Sequence, residues 1–336
     1  MKINIAYAPD DNFTNLALVS MASALENNQN NEIEFTILYS NLLKKSIDAF
    51  DILKKYENCK IRFVKVDENI FDGFPLASWT TVQTWFRTAL SELCSDLDRV
   101  LYVDCDTLIL GDLSELFSMD LSNNLIAGVT DIVGVQNHVR RLSISDDKYF
   151  NAGVILFNTK LMREQQTFIE IEKFAKGRSL ECADQDAINK VIENRKLLLH
   201  PKYNYLETWE SNYENDYDAE YSKLYEEAKI NPTIIHFVGL KPFYYKNLHS
   251  FKYQWWQYAQ KLNLAEFKNN FLKEEEQFKY DIEHFCRFRN FVDFILSKII
   301  FSKKLRNKFK TKVKNAKDVL IAEKYFEFNE KIKQLF

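Results

Sequence analysis

The feature that most constrains the fold is a regular alternation of short apolar runs with amphipathic segments along the first 250 residues. The apolar runs predict strands at residues 3–8, 34–39, 60–66 and 100–103. The segments between them predict helices at residues 15–25, 42–56 and 82–93. Strands that alternate with helices usually pair in parallel, because each helix carries the chain back across the sheet. The sequence therefore predicts an α/β fold with a doubly wound, mostly parallel sheet.

The same pattern continues to about residue 237 and then changes. Further strands are predicted at residues 125–129, 153–157 and 233–237, the last of which is expected to close the sheet. Helices are predicted at residues 161–174 and 186–194. From Phe251 onward the chain is rich in Lys, Phe and Glu and contains neither Pro nor Gly. We therefore expect a main domain at residues 1–250 and a helical C-terminal region at residues 251–336.

Composition excludes some classes of partner and location. A net charge of -3 gives no overall attraction for nucleic acid. The five cysteines are widely spaced without a CxxC pair, which favours reduced thiols and a cytoplasmic protein. The apolar run before Asp10 is too short for a signal peptide, and no apolar stretch approaches the roughly 20 residues that a spanning helix needs.

Polar side chains are concentrated where predicted strands end. Ligands of open parallel sheets bind beyond the carboxyl ends of the strands. The candidates at these positions are Asp10, Asp11, Asn12, Asp104, Asp106, Asp131 and His236. In the run RVLYVDCDTLILGDLSELF (residues 99–117), the apolar strand leads directly into Asp104 and Asp106.

Two carboxylates spaced i and i+2 can hold one divalent cation, and a histidine as third ligand suits Mn²⁺ better than Ca²⁺. The pattern is not specific by itself, since the chain has four Asp-x-Asp pairs. Short acidic pairs are commonly solvated loop ends, and a single histidine in an apolar strand is commonly a hydrogen-bonded core residue. On the residues alone, both alternatives stay open for Asp104, Asp106 and His236.

Several motifs in a fixed order give a more specific indication. They are IAYAPDDNF (5–13), TWFRTAL (84–90), the run at 99–117, YFNAGVILFN (149–158), ADQDAIN (183–189) and IIHFVGLKPF (234–243). Together they resemble glycosyltransferase family 8, in particular bacterial lipooligosaccharide galactosyltransferases and glucosyltransferases, and more distantly glycogenin. The resemblance covers about the first 250 residues and implies a single Rossmann-like (GT-A type) domain with a mixed central sheet that binds a nucleotide sugar.

The resemblance also implies a UDP-sugar donor, UDP-galactose or UDP-glucose, and Mn²⁺, with Mg²⁺ as the alternative ion. Asp104, Asp106 and His236 would be the metal ligands, with the ion bridging the two phosphates of UDP. The implied donor-binding positions are Ala8, Asp10, Asn12, Arg87, Asp104, Cys105, Asp106, Asn151, Ala152, Asp184, Gln185, His236, Gly239 and Lys241. Among these, Cys105 is expected to point its side chain into the sheet and away from the metal.

Three residues are assigned by the resemblance to the reacting sugar. Asp184 and Gln185 would lie beside its anomeric carbon and hydroxyls, and Asp131 at the junction of donor sugar and acceptor. Members of the family retain the anomeric configuration. Because an amide is a poor nucleophile, Gln185 favours attack by the acceptor on the leaving-group face over a covalent sugar intermediate.

Purely structural roles remain open for three of these positions, and two readings remain open for the neighbouring Gly153. Asp10 and Asp184 can instead cap the helices that follow them. Arg87 can be an ordinary exposed helix residue, and Gly153 after Ala152 either admits a ligand close to the backbone or marks a bulge.

The chain departs from the family pattern HxxGxxKPW near its end. The stretch from His236 to Phe243 is one residue shorter between Gly239 and Lys241, and it has Phe243 in place of Trp. The resemblance assigns Lys241 to the diphosphate, and with this shorter spacing its side chain would reach the diphosphate differently.

Residues 291–317 have a basic amphipathic pattern, in which apolar residues alternate with eight lysines and arginines between Lys298 and Lys314. Such a helix can lie on an anionic membrane or can pack its apolar side on the main domain. The resemblance favours the membrane, since bacterial members glycosylate lipid-anchored oligosaccharides. We therefore expect a saccharide acceptor that is lipid-linked and a protein on the inner face of the cytoplasmic membrane. The alternatives are a protein or soluble acceptor, or a non-catalytic sugar-nucleotide-binding protein.

Overall fold

The structure is a computed structural model that describes residues 1–78, 80–131, 135–146, 148–207, 219–264, 266–280 and 329–336. The basic segment at residues 291–317 lies outside the described residues. Among the residues described, no helix combines the length and the apolar character needed to cross a membrane.

The strands follow the predicted order, with two short additions. They are β1 (Lys2–Tyr7), β2 (Glu32–Tyr39), β3 (Cys59–Lys65), β4 (Val100–Val103), β5 (Thr107–Ile109), β6 (Ile126–Thr130), β7 (Phe150–Phe157), β8 (Lys196–Leu198) and β9 (Ile234–His236). The strands β5 and β8 were not predicted, since three residues are too few to show a period.

The α-helices lie between these strands and after them. They are α1 (Thr14–Asn27), α2 (Lys44–Ala49), α3 (Gln83–Phe86), α4 (Leu90–Leu93), α5 (Ser114–Phe117), α6 (Val135–Leu142), α7 (Thr159–Glu164), α8 (Thr167–Ala175), α9 (Ala183–Ile192), α10 (Ala219–Ile230) and α11 (Lys252–Lys261). Short 3₁₀ helices occur at Phe50–Lys55, Glu68–Phe71, Arg87–Ala89 and Pro201–Tyr203. The helix predicted at 82–93 is thus interrupted by a 3₁₀ turn at Arg87.

The central sheet has seven strands in the order β3-β2-β1-β4-β7-β6-β8. The strand pairs β1–β2, β2–β3, β1–β4 and β6–β8 are parallel, whereas β7 is antiparallel to both β4 and β6. All eight residues of β7 are buried, as expected for a central strand covered on both faces. The predicted mixed, mostly parallel α/β sheet is confirmed.

The prediction for the last strand was wrong. Residues 233–237 do not close the central sheet, because β9 pairs antiparallel with β5 in a separate two-stranded sheet. The chain turns away from the central sheet after β4, and the register then places His236 opposite Thr107. This pairing brings the histidine next to Asp106, which the central sheet would not have done.

The chain divides into two compact units, Met1–Val238 and Gly239–Phe336. The predicted domain boundary near residue 250 stays a prediction. Within the second unit, α11 and the helical residues 266–280 are accompanied by a cluster of aromatic side chains that includes Trp255, Trp256 and Phe271.

A buried lysine lies inside this second unit. The Lys252 ammonium donates hydrogen bonds to the carbonyl oxygens of Tyr244 (2.8 Å) and Asn247 (2.9 Å) and to Oδ1 of Asn329 (2.9 Å). Burial lowers the pKa of Lys252 to about 7. These bonds fix residue 329, at the start of the last described segment, to α11.

Candidate metal and nucleotide-sugar site

The predicted metal ligands meet at the end of β4. The His236 Nε2 atom lies 3.3 Å from Asp106 Oδ1 and 3.8 Å from Asp104 Oδ2. One ligand atom from each of the three residues falls within 4.8 Å of the others. Asp106 and His236 are buried, and the Asp104 side chain is 24% exposed.

This donor set fits a divalent cation. Two carboxylates crowded against each other repel unless a positive charge lies close by. Carboxylate oxygens with one imidazole are typical ligands for Mn²⁺ and related ions. Backbone bonds hold the set in place, since the Asp104 N–H donates to the Gly153 carbonyl (2.7 Å) and the Phe237 N–H donates to the Asp106 carbonyl (2.9 Å).

Gly153 makes room for the histidine of this group. A Cβ atom at residue 153 would lie 2.1 Å from Cε1 and 2.6 Å from Nδ1 of His236. No side chain fits there, so glycine is required by the imidazole ring. The register between β6 and β7 shifts between the pairs Gly128–Ile155 and Thr130–Phe150, so Gly153 lies within the irregular stretch of β7. The glycine therefore lies at a bulge and also admits the imidazole ring.

Arg87 links the metal group to the predicted sugar pocket. Its NH2 lies 2.9 Å from Asp104 Oδ1, its Nε lies 3.0 Å from Asp184 Oδ2, and its NH1 donates to the Ala152 carbonyl at 2.5 Å. The guanidinium also stacks on the Tyr102 ring, with the carbon 4.4 Å from the ring centroid. Burial lowers the pKa of Arg87, but the negative charges of Asp104 and Asp184 outweigh it and raise that pKa. The residue is buried, so the reading as an ordinary exposed helix arginine is wrong.

Asp184 lies in the first turn of α9 and does not cap it. The N-cap position is Cys182, so the capping alternative for Asp184 is wrong. Its Oδ1 accepts a hydrogen bond from the Thr84 hydroxyl (2.8 Å). Burial raises the pKa of Asp184, although Arg87 and Thr84 oppose the rise.

The amide of Gln185 is held at both ends. Its Oε1 accepts from the Ala152 N–H (2.8 Å), and its Nε2 donates to Asp131 Oδ2 (2.9 Å) and to the Tyr149 hydroxyl (3.2 Å). The Asn151 amide also donates to Asp131 Oδ2, at 3.3 Å. The structure therefore brings Gln185, Asp131 and Asn151 together, and their contacts with the donor stay predictions.

The residues after β1 hold the chain that enters α1. Asp10 Oδ1 accepts from the backbone N–H groups of Asn12 (2.8 Å) and Phe13 (2.9 Å). Phe13 is the N-cap of α1 and makes no side-chain cap bond, so Asp10 supplies a carboxylate to the backbone at this helix start. Ala8 is buried and Asn12 is exposed. The uridine contacts of these three residues stay predictions.

Cys105 is buried, as predicted. Burial raises the pKa of its thiol well above the ordinary value, and the neighbouring charges of Asp104, Asp106 and Asp10 raise it further. A protonated thiol is neither a metal ligand nor a nucleophile.

Two further predicted residues, Gly239 and Lys241, belong to the second unit. Gly239 has a φ of +82°, a left-handed conformation that favours glycine. Their contacts with the donor stay predictions.

A second group with metal-type ligands contains its own cation. His138, Cys182 and Asp186 also place one ligand atom each within 4.8 Å. Arg141 lies among them, with NH2 2.8 Å from Asp186 Oδ1 and 2.9 Å from His138 Nδ1. Burial alone raises the pKa of Asp186, but hydrogen bonds from Arg141, the Cys182 N–H and the Tyr149 hydroxyl outweigh it and hold the pKa below its ordinary value. The guanidinium thus neutralises this group as a structural ion pair.

Sequence reasoning missed several polar residues that contact the site, among them Thr84, Tyr149 and Asn204. The first two lie inside motifs TWFRTAL and YFNAGVILFN and carried a signal that was not used. Asn204 lies outside every motif, between Tyr203 and Tyr205, and only the three-dimensional fold identifies it.

Comparison with known proteins identifies the family to which this sequence is similar. The family model described as glycosyl transferase family 8 matches residues 4–247. General stress protein A of Bacillus subtilis is 25% identical over 265 residues, covering 76% of this chain and 92% of the relative. A lipopolysaccharide 1,2-glucosyltransferase of Escherichia coli is 26% identical over 250 residues, covering 72% of this chain and 73% of the relative.

A solved structure shares the fold. The galactosyltransferase LgtC, solved in complex with donor and acceptor sugar analogs, superimposes with a TM-score of 0.64 at 24% identity, covering 77% of this chain and 96% of LgtC.

Proposed function

Since the chain belongs to glycosyl transferase family 8 and is therefore a glycosyltransferase, we propose that it transfers galactose or glucose from a UDP-sugar to a saccharide acceptor, using Mn²⁺ and retaining the anomeric configuration. One observation carries the proposal. The carboxylate and imidazole group at Asp104, Asp106 and His236 is joined through Arg87 to Asp184, which adjoins Gln185 at the start of α9. A metal group and a sugar pocket that share an arginine are suited to cleave the bond between a sugar and a diphosphate.

Asp104, Asp106 and His236 would hold the ion. A divalent cation bound there supplies positive charge to the diphosphate as UDP departs. Arg87 balances Asp104 and Asp184 and fixes the distance between the metal end and the sugar end of the site. Asp184 is tied to Arg87 and Thr84 and has a raised pKa, which suits a positioning role better than attack on the sugar.

The Gln185 amide supports reaction on one face. Its nitrogen donates to Asp131 and its oxygen accepts from Ala152, so the side chain presents a fixed dipole and no good nucleophile. The bond from the anomeric carbon to UDP breaks, and the acceptor hydroxyl forms the new bond from the same side. The acceptor proton passes to the departing phosphate oxygen. Asp131, at the amide end of Gln185, is placed to orient the acceptor.

The relatives support the choice of sugar and acceptor. One is named a lipopolysaccharide glucosyltransferase and another a lipopolysaccharide 1,3-galactosyltransferase. We extend this to a lipid-linked acceptor on the inner face of the cytoplasmic membrane. The basic residues of 291–317 would then be attracted to anionic lipid. We propose no nucleic acid partner.

Release of UDP tests the proposal directly. Purified protein is incubated with a panel of UDP-sugars, with and without Mn²⁺, and UDP is quantified. We expect metal-dependent release from UDP-galactose or UDP-glucose. The Asp106→Asn variant should lose at least about 100-fold, since even residues that only support metal ligands cost 10–100-fold.

The matched control is Asp98→Asn. Asp98 belongs to another Asp-x-Asp pair, and its side chain is 77% exposed. It should keep full activity. Full activity in Asp106→Asn would contradict the metal assignment, and no release from any donor would favour a non-catalytic sugar-nucleotide-binding protein.

The mechanism has a separate test. Mass spectrometry of the enzyme during turnover should find no sugar attached to Gln185 or Asp184. A covalent adduct on either residue would show double displacement instead.

A further inference from the structure

A chain of side-chain amides connects the sugar end of the site to the metal end. Asn151 Nδ2 donates to Asp131 Oδ2 (3.3 Å), and Asn204 Nδ2 lies 2.9 Å from Asn151 Oδ1. Asn204 Oδ1 in turn lies 3.2 Å from His236 Nδ1. Asn204 is 1% exposed and His236 5%, so bulk water does not compete for these bonds.

The direction of every hydrogen bond along this row of amides follows from one backbone group. The Gly153 N–H, which can only donate, points to Asn151 Oδ1 at 2.9 Å. That oxygen is therefore an acceptor, and the group of Asn204 facing it must be the NH₂. The carbonyl oxygen of Asn204 then faces His236 and can only accept.

We infer that Asn204 is a positioning residue that holds His236 in the tautomer protonated on Nδ1. The Nε2 lone pair is then directed to Asp104 and Asp106, where a metal ligand needs it. The inference rests on the proposed function in so far as the ion is the proposed Mn²⁺. It adds that the amide of Asn204 orients the metal-binding histidine before any ion binds.

The same chain couples the two ends of the site. Asp131 accepts hydrogen bonds from the Gln185 and Asn151 amides. Asn151 in turn accepts from Asn204, which contacts the metal ligand His236. The residue proposed to orient the acceptor and the histidine proposed to bind the ion therefore share one hydrogen-bonded network.

The tautomer is measured in the metal-free protein. With ¹⁵N-labelled histidine, long-range ¹H–¹⁵N correlation spectra at about pH 8, above the ordinary imidazole pKa of about 6.5, distinguish the two neutral forms. The chain has five histidines, and the His236 signals are those missing from the His236→Asn spectrum. We expect the Nδ1–H form in the wild type.

Two variants separate positioning from mere packing. Asn204→Leu keeps the branched shape and removes the acceptor, so His236 should give a mixture of tautomers, and Mn²⁺ should bind about 10–100-fold more weakly in titration calorimetry. Asn204→Asp loses the bond to Asn151 Oδ1 but keeps an oxygen facing Nδ1, so it should keep the Nδ1–H form.

The control for a lost buried amide is Asn28→Leu. Asn28 is also 1% exposed, but it bonds to the backbone of Leu113 and Ala24. This variant should lose stability with the His236 tautomer and Mn²⁺ affinity unchanged.

An Nε2–H form in the wild type would overturn the inference, even if Asn204→Leu fails to fold. An unchanged tautomer in folded Asn204→Leu would overturn it as well. Failure to release UDP from any donor would overturn the proposed function alone, because the tautomer is determined without metal or substrate.

Discussion

Two groups of side chains in the first unit offer similar ligand atoms and differ in what neutralises them. In the group of His138, Cys182 and Asp186, the guanidinium of Arg141 lies within 2.9 Å of both the histidine and the carboxylate. In the group of Asp104, Asp106 and His236, the nearby Arg87 contacts Asp104 and then turns to Asp184.

The two histidines also differ in what their Nδ1 atoms contact. His138 Nδ1 meets a fixed cation of the protein, whereas His236 uses Nδ1 for the Asn204 amide and faces the carboxylates with Nε2. Ligand type and distance are similar in the two groups. Which one suits an exchangeable ion is decided by where the nearest arginine lies.

The largest effect we expect comes from removing the internal cation. Arg141→Met leaves the Asp186 carboxylate, whose side chain is 0% exposed, without its charged partner. Removing one partner of a fully buried pair costs about 3–5 kcal/mol of unfolding free energy. Because the Arg141 side chain is 31% exposed, we expect the lower end of this range, measured by urea denaturation. As control, Arg62→Met removes a partner of Asp96, which is 61% exposed, and should cost under about 1 kcal/mol. Equal costs for the two variants would refute the internal-cation reading.

Adding Mn²⁺ should raise the stability of the protein only through the group of Asp104, Asp106 and His236. At 100 times its dissociation constant, an ion that binds only the folded state adds about 2.7 kcal/mol of stability. Thermal unfolding should show this gain in the wild type and in His138→Ala, and should not show it in Asp106→Asn. Loss of the gain in His138→Ala would show that the ion binds the group of His138, Cys182 and Asp186 instead.

Replacing Gly153 with alanine sharpens the role of the glycine. The added Cβ would overlap the His236 ring, and overpacking of this kind costs about 1–3 kcal/mol. Gly153→Ala should also abolish the stabilisation by Mn²⁺. Gly128→Ala, whose Cβ would lie 2.9 Å from Phe150 Cδ2, is the matched control and should destabilise while keeping that response. Retained Mn²⁺ binding in Gly153→Ala would show that the ring can move freely.

The smallest effect is a dependence on pH in the internally neutralised group. The pKa of Asp186 is lowered in the folded protein, so its contribution is fully present above the ordinary aspartate pKa of about 3.9 and is lost as pH falls through the folded-state pKa. The stability difference between wild type and Asp186→Asn, from urea unfolding, should therefore shrink on acidification below about pH 4. A difference that grows on acidification would contradict the lowered pKa.

The sequence predicted the parts of the fold that have a period. The long strands and their order follow from apolar alternation, and the metal candidates follow from acidic residues placed where β4 ends. The pairing of β9 with β5 could not be predicted, because strands of three residues contain too little pattern to choose a partner. Yet that pairing is what brings His236 to Asp106.

The supporting side chains were beyond sequence reasoning for a different reason. Asn204 acts through hydrogen bonds to Asn151 and His236, 53 and 32 positions away, and no motif marks it. Thr84 lies in a motif, but its partner Asp184 is 100 positions away and only the fold shows the contact. Arg87 was predicted on resemblance to bind the donor, but its burial and the 3₁₀ turn that interrupts the expected helix there were not predicted.

The contact between Gly153 and His236 also sets the order in which mutations can accumulate. While the imidazole is present, any larger residue at position 153 meets its ring, at a Cβ distance of 2.1 Å. Once position 236 carries a small side chain, the same change at 153 is relieved. A lineage that gives up the histidine is therefore expected to lose it first and the glycine second, because the cost of a side chain at 153 depends on the residue at 236.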